Sequence, residues 1–267
     1  MQKAAKSSVS SKVFMGFSLP DSDGRNLLRF AHLWYFLYFW ALVWPSDVGE
    51  TERVKLPLVL VGDTRSRSNI EILKANGWGR MCVEKPPKPY PFEKWGFDNG
   101  AFGAFCRGLP FPESDFLRRM EAAAVAPVDP YLAVTPDIVA GGCASLQFSA
   151  AWRMGHRLNE DWPWYLAVQD GMTVADVEPH LHLYQGIFLG GTDRFKATAY
   201  RWRVLAHKHG LKFHYGRAST PAKLVSAFKV GADSCDSAFP LWTAERMRRF
   251  VARWQGLGDQ LCIEGVL

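Results

Sequence analysis

What the chain lacks narrows it first. Among 267 residues only five are cysteines: Cys82, Cys106, Cys143, Cys235 and Cys262. Their number is odd, their spacings are wide, and no Cys-x-x-Cys pair occurs. A disulfide framework and a zinc knuckle are thereby excluded, and a reducing compartment, the cytoplasm, is expected. No group of His and Cys has metal-ligand spacing, and His207 and His209 fall near a helix end, where a solvated His is ordinary. The N-terminus shows no basic start, apolar run and small-residue cleavage site, so no secretory signal is expected. The apolar stretch NLLRFAHLWYFLYFWALVW at 26–44 contains Arg29 and His32, and its unbroken part, Leu33–Trp44, is too short for a comfortable membrane span. A buried aromatic helix is expected there, with a membrane-facing helix as the lesser alternative. VLVGDTRSRS at 59–68 carries a single glycine, so the glycine-rich fingerprint of a dinucleotide fold is missing.

What is present is a large apolar inventory. The chain is 48% hydrophobic, with 11 Trp and 18 Phe, enough for one large core. Most of these rings are expected in that core, and a minority can stack on bases or ligands. The net charge of +6 is compatible with a polyanionic partner without establishing one. Residues 1–50 read as an N-terminal extension carrying the aromatic helix, and 51–267 as one catalytic-sized domain.

From residue 56 a strand-and-helix rhythm runs to the end. LPLVLVG is a short apolar run, NIEILKANG has helical spacing and a terminal Gly, and ESDFLRRMEAAA opens with acidic residues in its first turn. PAKLVSAFKVG has Pro at its start and Gly at its end. Eight strands are predicted near 57–62, 80–84, 95–98, 131–134, 164–168, 186–190, 211–215 and 232–236. Strands alternating with helices imply parallel pairing, and eight units favour an α/β fold of the closed (β/α)8 TIM-barrel type over an open sheet.

A barrel of this kind places chemistry at the C-terminal ends of its strands. The predicted ends carry Asp63, Asp98-Asn99-Gly100, Asp137, Gln169-Asp170-Gly171, Gly190-Gly191, His214-Tyr215-Gly216-Arg217 and Asp236. Each alone reads as a turn former or a helix cap. Together on one face they favour a site that reads a planar, hydrogen-bonding heterocycle and uses two carboxylates for glycosyl chemistry. In GADSCDS at 231–237, strand alternation sends Asp233 and Asp236 to opposite faces. Only one of the two can then serve the mouth.

The order of these segments resembles the tRNA-guanine transglycosylases. FDNGAFG at 97–103 resembles their Asp-Ser-Gly-Gly-Phe-Gln segment, and PDIVAGG at 136–142 their Asp-Ile-Val segment. LAVQDG at 166–171 is similar to Val-Gln-Gly-Gly, and IFLGGTDRFK at 187–196 to Ala-Ile-Gly-Gly-Leu. HYGRASTPAKLVSAFKVGADSCDS is similar to their closing Met-Gly-Val-Gly…Gly-x-Asp-x-Phe-Asp-Cys stretch. The likeness covers about residues 56–240 and leaves 1–50 out. The family's Cys-x-Cys-x-x-Cys…His zinc site has no counterpart, AGG stands where the tRNA enzymes have Phe-Asp-Glu, and the Gln of the first motif is missing. These departures resemble the compact, zinc-less DpdA-like branch, bacterial and phage enzymes that place 7-deazaguanine bases in DNA.

The resemblance implies that Asp236 is the nucleophile on C1′ of a target guanosine and Asp98 the general acid/base. It implies base recognition by Asp137, Gln169, Gly190, Gly191 and Tyr215. It implies no metal and no cofactor, a 7-deazaguanine base of the preQ0 kind as co-substrate, and DNA ahead of tRNA as partner. Arg65, Arg67, Lys85, Lys88, Arg194, Lys196 and Arg217 are then expected to hold phosphates around the mouth, while the arginines of the last helix read as a solvated face. For a phage-encoded chain the compartment is the host cytoplasm. No membrane partner is expected. A catalytically inert nucleic-acid-binding barrel and, more weakly, a small-molecule phosphate-binding barrel enzyme are the alternatives from other classes.

Overall fold

The structure, a computed structural model, describes residues 55–83, 93–156 and 159–263. The extension at 1–50, its aromatic stretch, and Lys85 and Lys88 lie outside the described residues. Among the described residues eight strands form: β1 (Leu58–Gly62), β2 (Gly79–Cys82), β3 (Trp95–Phe97), β4 (Leu132–Val134), β5 (Trp164–Val168), β6 (Gly186–Leu189), β7 (Lys212–Tyr215) and β8 (Ser234–Ser237). Each pairs in parallel with the next, and β8 pairs with β1 through Val59 and Cys235. The chain is therefore a closed (β/α)8 barrel, as the strand rhythm predicts, with every strand within two residues of its expected place.

The helices packed outside are α1 (Arg67–Asn76), α2 (Ala101–Cys106), α3 (Glu113–Ala124), α4 (Cys143–Gly155), α5 (Val174–Val177), α6 (Asp193–Lys196), α7 (Ala199–Lys208), α8 (Pro221–Lys229) and α9 (Ala244–Ile263). Local chemistry sets their ends. Gly77 stops α1 in the left-handed region at φ 63°. Thr220 caps α8 by accepting from the Lys223 amide, with Pro221 in the first turn. The single helix expected over 196–210 is two, because Thr192 caps α6 through the Phe195 amide and a new helix begins at Ala199.

Strand alternation divides the apolar residues into two cores. Leu60, Met81, Leu132, Val134, Tyr165 and Ala167 fill the barrel, joined by Phe188. Glycine on or just past a neighbouring strand makes room for the Tyr165 and Phe188 rings. A Cβ at Gly186 would fall 2.4 Å from the Tyr165 ring, and one at Gly216 would fall 2.5 Å from Phe188. Most of the aromatic load lies in the other core, between strands and helices, where Trp152 packs edge-on against Phe116 (5.6 Å) and Trp164 (5.2 Å). The same alternation fixes the mouth. Gly96 faces inward, so Asp98 follows it inward; Phe188 and His214 face inward, and so do Ser234 and Asp236.

Candidate active site

Asp236 stands on the inner side of β8 with its side chain 16% exposed. Its Oδ1 accepts from Nε2 of His214 at 3.1 Å and from the Arg217 amide at 2.8 Å. Its Oδ2 has no hydrogen bond among the described residues. Because an ionised carboxylate only accepts, the His214 proton is on Nε2, and Nδ1 meets Ser234 Oγ at 2.8 Å. The imidazole is fully buried and stacks on Phe188 at 4.6 Å, which fixes its plane. Burial alone would raise the Asp236 carboxyl. The hydrogen bond and charge of His214, the Arg217 amide and the Lys196 ammonium outweigh it and hold the group below the usual carboxylate range.

Asp98 has the opposite electrostatics. Burial pushes it up to about 6, and the charge of Asp236 adds to the rise, against the Gly100 amide at 2.8 Å and the Arg119 guanidinium. Asp137 is 8% exposed, and burial with the nearby charge of Asp98 also carries it to about 6, against the hydrogen bond from Asn99. Asn99 joins the two strand ends. Its Nδ2 donates at 2.7 Å to both the Thr135 carbonyl and Asp137 Oδ1, while its Oδ1 accepts from the Ala101 amide. Arg119 of α3 closes the arrangement from outside by donating to the Val83 and Asn99 carbonyls and to Asp115. Three carboxylates thus gather at the mouth. Two are drawn up to titrate at about 6, and one is held ionised.

Over them lies a contact between opposite sides of the ring. Arg217 follows β7 and Phe102 follows β3, four strands away in a ring of eight. The guanidinium stacks on the Phe102 face at 4.4 Å, and Nη2 donates to the Gly191 carbonyl at 2.6 Å. Arg217 holds a left-handed backbone at φ 51°, uncommon for a side chain of this size, and that conformation aims its amide at Asp236.

The other expected site residues divide. Gly191 needs its positive φ of 73°, and a Cβ there would fall 2.7 Å from Asp170 Oδ2. The Gly190 amide is already used on the Val168 carbonyl at 2.8 Å. Gln169 is at the mouth, and its amide also braces the segment after β4: Oε1 accepts from Ala140 and Nε2 donates to the Ile138 carbonyl. These two bonds shape the loop behind Asp137 and use one of its two N–H donors and one of its two acceptor lone pairs. Tyr215 is corrected. It neighbours inward-facing His214, so alternation turns its ring outward, into the layer under the helices. Lys196 is also corrected as a surface cation. It is 5% exposed, donates to the Gly216 carbonyl and lies 5.3 Å over the Tyr215 ring. Burial and the neighbouring Arg217 lower its ammonium to about 8. Arg65, Arg67 and Arg194 are exposed in segments following β1 and β6. Buried Arg80 anchors the first of those segments, gripping Glu93 at 2.5 and 3.0 Å, Asp63 at 3.0 Å and the Thr64 carbonyl at 3.1 Å. Arg217 is half-buried and belongs to the site itself.

Ser234, Phe102 and Arg119 were not among the expected functional residues, and Asn99 and His214 were named for their place at strand ends, without a role. Phe102 sits inside a quoted motif, and His214 two residues before Gly216, but neither pairing partner is visible without the barrel register. Cys82 and Cys235 are buried, Cys106 and Cys143 exposed, and no group of three His, Cys, Asp or Glu suited to a metal ion occurs among the described residues. Among the same residues no helix is long and apolar enough to cross a membrane.

No protein-family profile matches the chain, and no curated protein does. Among solved structures one that is similar is QR15, an aldolase, at 12% identity and a TM-score of 0.48, covering 74% of this chain and 96% of that one. The fold assignment rests on the strand pairing, and the chemistry below rests on the site.

Proposed function

We propose that the protein is a guanine transglycosylase that exchanges guanine in DNA for a 7-deazaguanine base. The observation that carries the reading is the pair Asp236 and Asp98, which face one mouth with their proton affinities driven apart. The order of motifs shared with the tRNA-guanine transglycosylases supports it. The free Oδ2 of Asp236 attacks C1′, the bond from C1′ to N9 breaks, and guanine leaves neutral by taking the proton of Asp98. The incoming 7-deazaguanine gives a proton back to Asp98, and its N9 displaces Asp236 from C1′. Two displacements restore the original configuration at the sugar. His214 and the Arg217 amide act on Asp236 as positioning groups. A guanine read at this depth must leave the helical stack.

The Arg217 guanidinium lies where a flat base entering over Asp98 and Asp236 would be sandwiched, on the Phe102 face and at the Gly191 carbonyl. Base entry therefore requires that side chain to swing out. DNA is placed before tRNA on the zinc-less character that the sequence shares with the DpdA-like branch, and the exposed arginines beside the mouth suit either polyanion.

The test is direct. Protein, duplex or single-stranded DNA and candidate deazaguanine bases are incubated, and digested nucleosides are analysed by mass spectrometry, with tRNA in parallel. Deazaguanine in DNA, lost with Asp236→Asn, supports the reading. Incorporation into tRNA alone moves the substrate. DNA binding with no exchange under any donor supports the inert barrel instead.

A further inference from the structure

Beside the mouth, between the segment after β5 and the helices after β6, is a cavity of about 630 Å³. Buried Met172 and Trp202 form its floor, half-buried Val174 and Phe195 its walls, and exposed Arg194 and Arg201 stand at its edge. Its volume lies within the range of small-molecule pockets, about 300–1,000 Å³. Neither arginine forms an ion pair among the described residues. Asp170, which also lines the cavity and feels the charge of Arg194, spends both oxygens on Thr192, at 2.7 Å each. An apolar slot with two uncommitted guanidinium groups suits a flat ring attached to a phosphate.

The cavity is tied to the reacting centre by a short chain of contacts. Asp170 holds Thr192, which adjoins Gly191; the Gly191 carbonyl holds Arg217, and the Arg217 amide holds Asp236. Strands β6 and β8 are two places apart, about 10 Å at ~4.8 Å per strand. Stacked nucleotides in one strand advance ~3.4 Å each, so that gap spans one to three of them.

Resting on the transglycosylase reading, we propose that this cavity holds a nucleotide flanking the target guanosine in the same strand, its base against Phe195 and Met172 and its phosphate on Arg194 and Arg201. With apolar walls, the slot discriminates by ring stacking and size rather than by base edges, so it positions the strand more than it reads sequence.

The experiment measures binding of a labelled single-stranded oligonucleotide, one guanine among thymidines, across a salt series. Arg194→Ala and Arg201→Ala are each expected to weaken binding several-fold and to reduce the slope of log K against log salt by about 0.7. Arg253→Ala on the outer face of α9 is expected to leave the slope within about 0.2 of wild type. An abasic residue at one position within three of the guanine is expected to weaken wild-type binding about tenfold. The same abasic residue is expected to cost nothing further in Ala175→Trp, where the cavity is filled from an exposed position. Unchanged slopes in both arginine variants, or no sensitive abasic position, with exchange intact in the wild type, overturn the pocket and leave the transglycosylase standing. Free thymidine 5′-monophosphate binding that depends on Arg201, with no abasic effect in the strand, overturns it in favour of a free-nucleotide site. Wild-type protein that neither exchanges bases nor binds the strand overturns both readings.

Discussion

The inner and outer faces of β8 carry nearly the same carboxylate. On the outside, Asp233 meets Nε2 of His207 at 3.1 Å and the Phe213 amide at 2.8 Å; on the inside, Asp236 meets Nε2 of His214 at 3.1 Å and the Arg217 amide at 2.8 Å. In both, burial would raise the carboxyl and the His and amide outweigh it, so both are held below the usual range. The difference lies in the remaining oxygen. Asp233 gives Oδ2 to His207 and the amide and Oδ1 to Lys212 at 3.3 Å, so both its oxygens are engaged. Asp236 takes both partners on Oδ1 and leaves Oδ2 to the mouth, opposite a protonatable Asp98. A depressed pKa beside a histidine therefore does not mark a catalytic group. What sets Asp236 apart, and what the proposed reaction uses, is an ionised oxygen left unengaged that faces a second carboxyl of opposite tendency.

The comparison breaks most easily at the two aspartates. Asp236→Asn is expected to lower base exchange by on the order of 10⁴-fold or more, the scale for losing a nucleophile, and to abolish a trapped covalent adduct. Asp233→Asn is expected to keep exchange within about threefold and to cost about 1–2 kcal/mol of stability through its ties to His207, Lys212 and β7. Nucleoside mass spectrometry and denaturant unfolding read the two effects. Equal loss of exchange in both variants, each folded, would show that the free oxygen is not what separates them.

The next largest effect belongs to Asp98. Asp98→Asn is expected to slow guanine release about 10²–10⁴-fold, the range for a general acid. In the wild type, release acquires its proton from a group titrating at about 6, so the rate of this half-reaction falls as pH rises through that value. Single-turnover release of labelled guanine between pH 5 and 8 checks it. A flat profile would remove Asp98 from the role.

The two histidines sharpen the contrast further. His214→Phe keeps the stack on Phe188 and removes the proton donated to Asp236. The Asp236 carboxyl then rises, and the acidic limb of the exchange profile moves to higher pH, with the loss greatest at the acid end. His214→Gln, which can still donate, is expected to restore most of that shift. His207→Phe removes the equivalent proton from Asp233 and is expected to leave the profile in place. A parallel move in both would mean that the profile reports stability and not Asp236.

Much of this frame was legible in the sequence because short apolar runs ending in Gly or Asp fix strands and their exits. The eight strands, the helix over 113–124, and the opposite facing of Asp233 and Asp236 follow from periodicity, while the choice of Asp236 for the inside rests on its place at the strand end and the family resemblance. Tyr215 was readable in principle, since alternation from His214 turns it outward, but its place at a strand end suggested the mouth. Lys196 was not readable. One turn beyond the Thr192 cap, its ammonium is drawn down to the Gly216 carbonyl just past the next strand, and that depends on register between β6 and β7. The same holds for Arg217 and Phe102, 115 positions apart in the chain and joined only because the barrel closes.

Asp137 gives the smallest effect and separates stability from use. Its carboxyl is raised from 3.8 to about 6 by burial, so the folded protein binds that proton more tightly than the unfolded chain does. The resulting stabilisation is complete below about pH 4 and is lost as pH rises through about 6. Above that, the folded state carries a buried anion at a cost of at most about 3 kcal/mol for about two units, less once side chains and water adjust. Asp137→Asn preserves an oxygen for the Asn99 amide at Oδ1 and removes the charge. The variant is therefore expected to unfold with wild type near pH 4 and to exceed it by about 1–2 kcal/mol at pH 8, with the difference opening across pH 5–7. If Asp137 also reads the base, the stabilised variant loses exchange at the same pH. Urea unfolding at pH 4, 6 and 8 beside the exchange assay distinguishes the outcomes. A constant stability difference across pH would show that burial does not raise this carboxyl. A gain at pH 8 with full exchange would assign Asp137 to holding Asn99, leaving Asp98 and Asp236 to carry the chemistry between them.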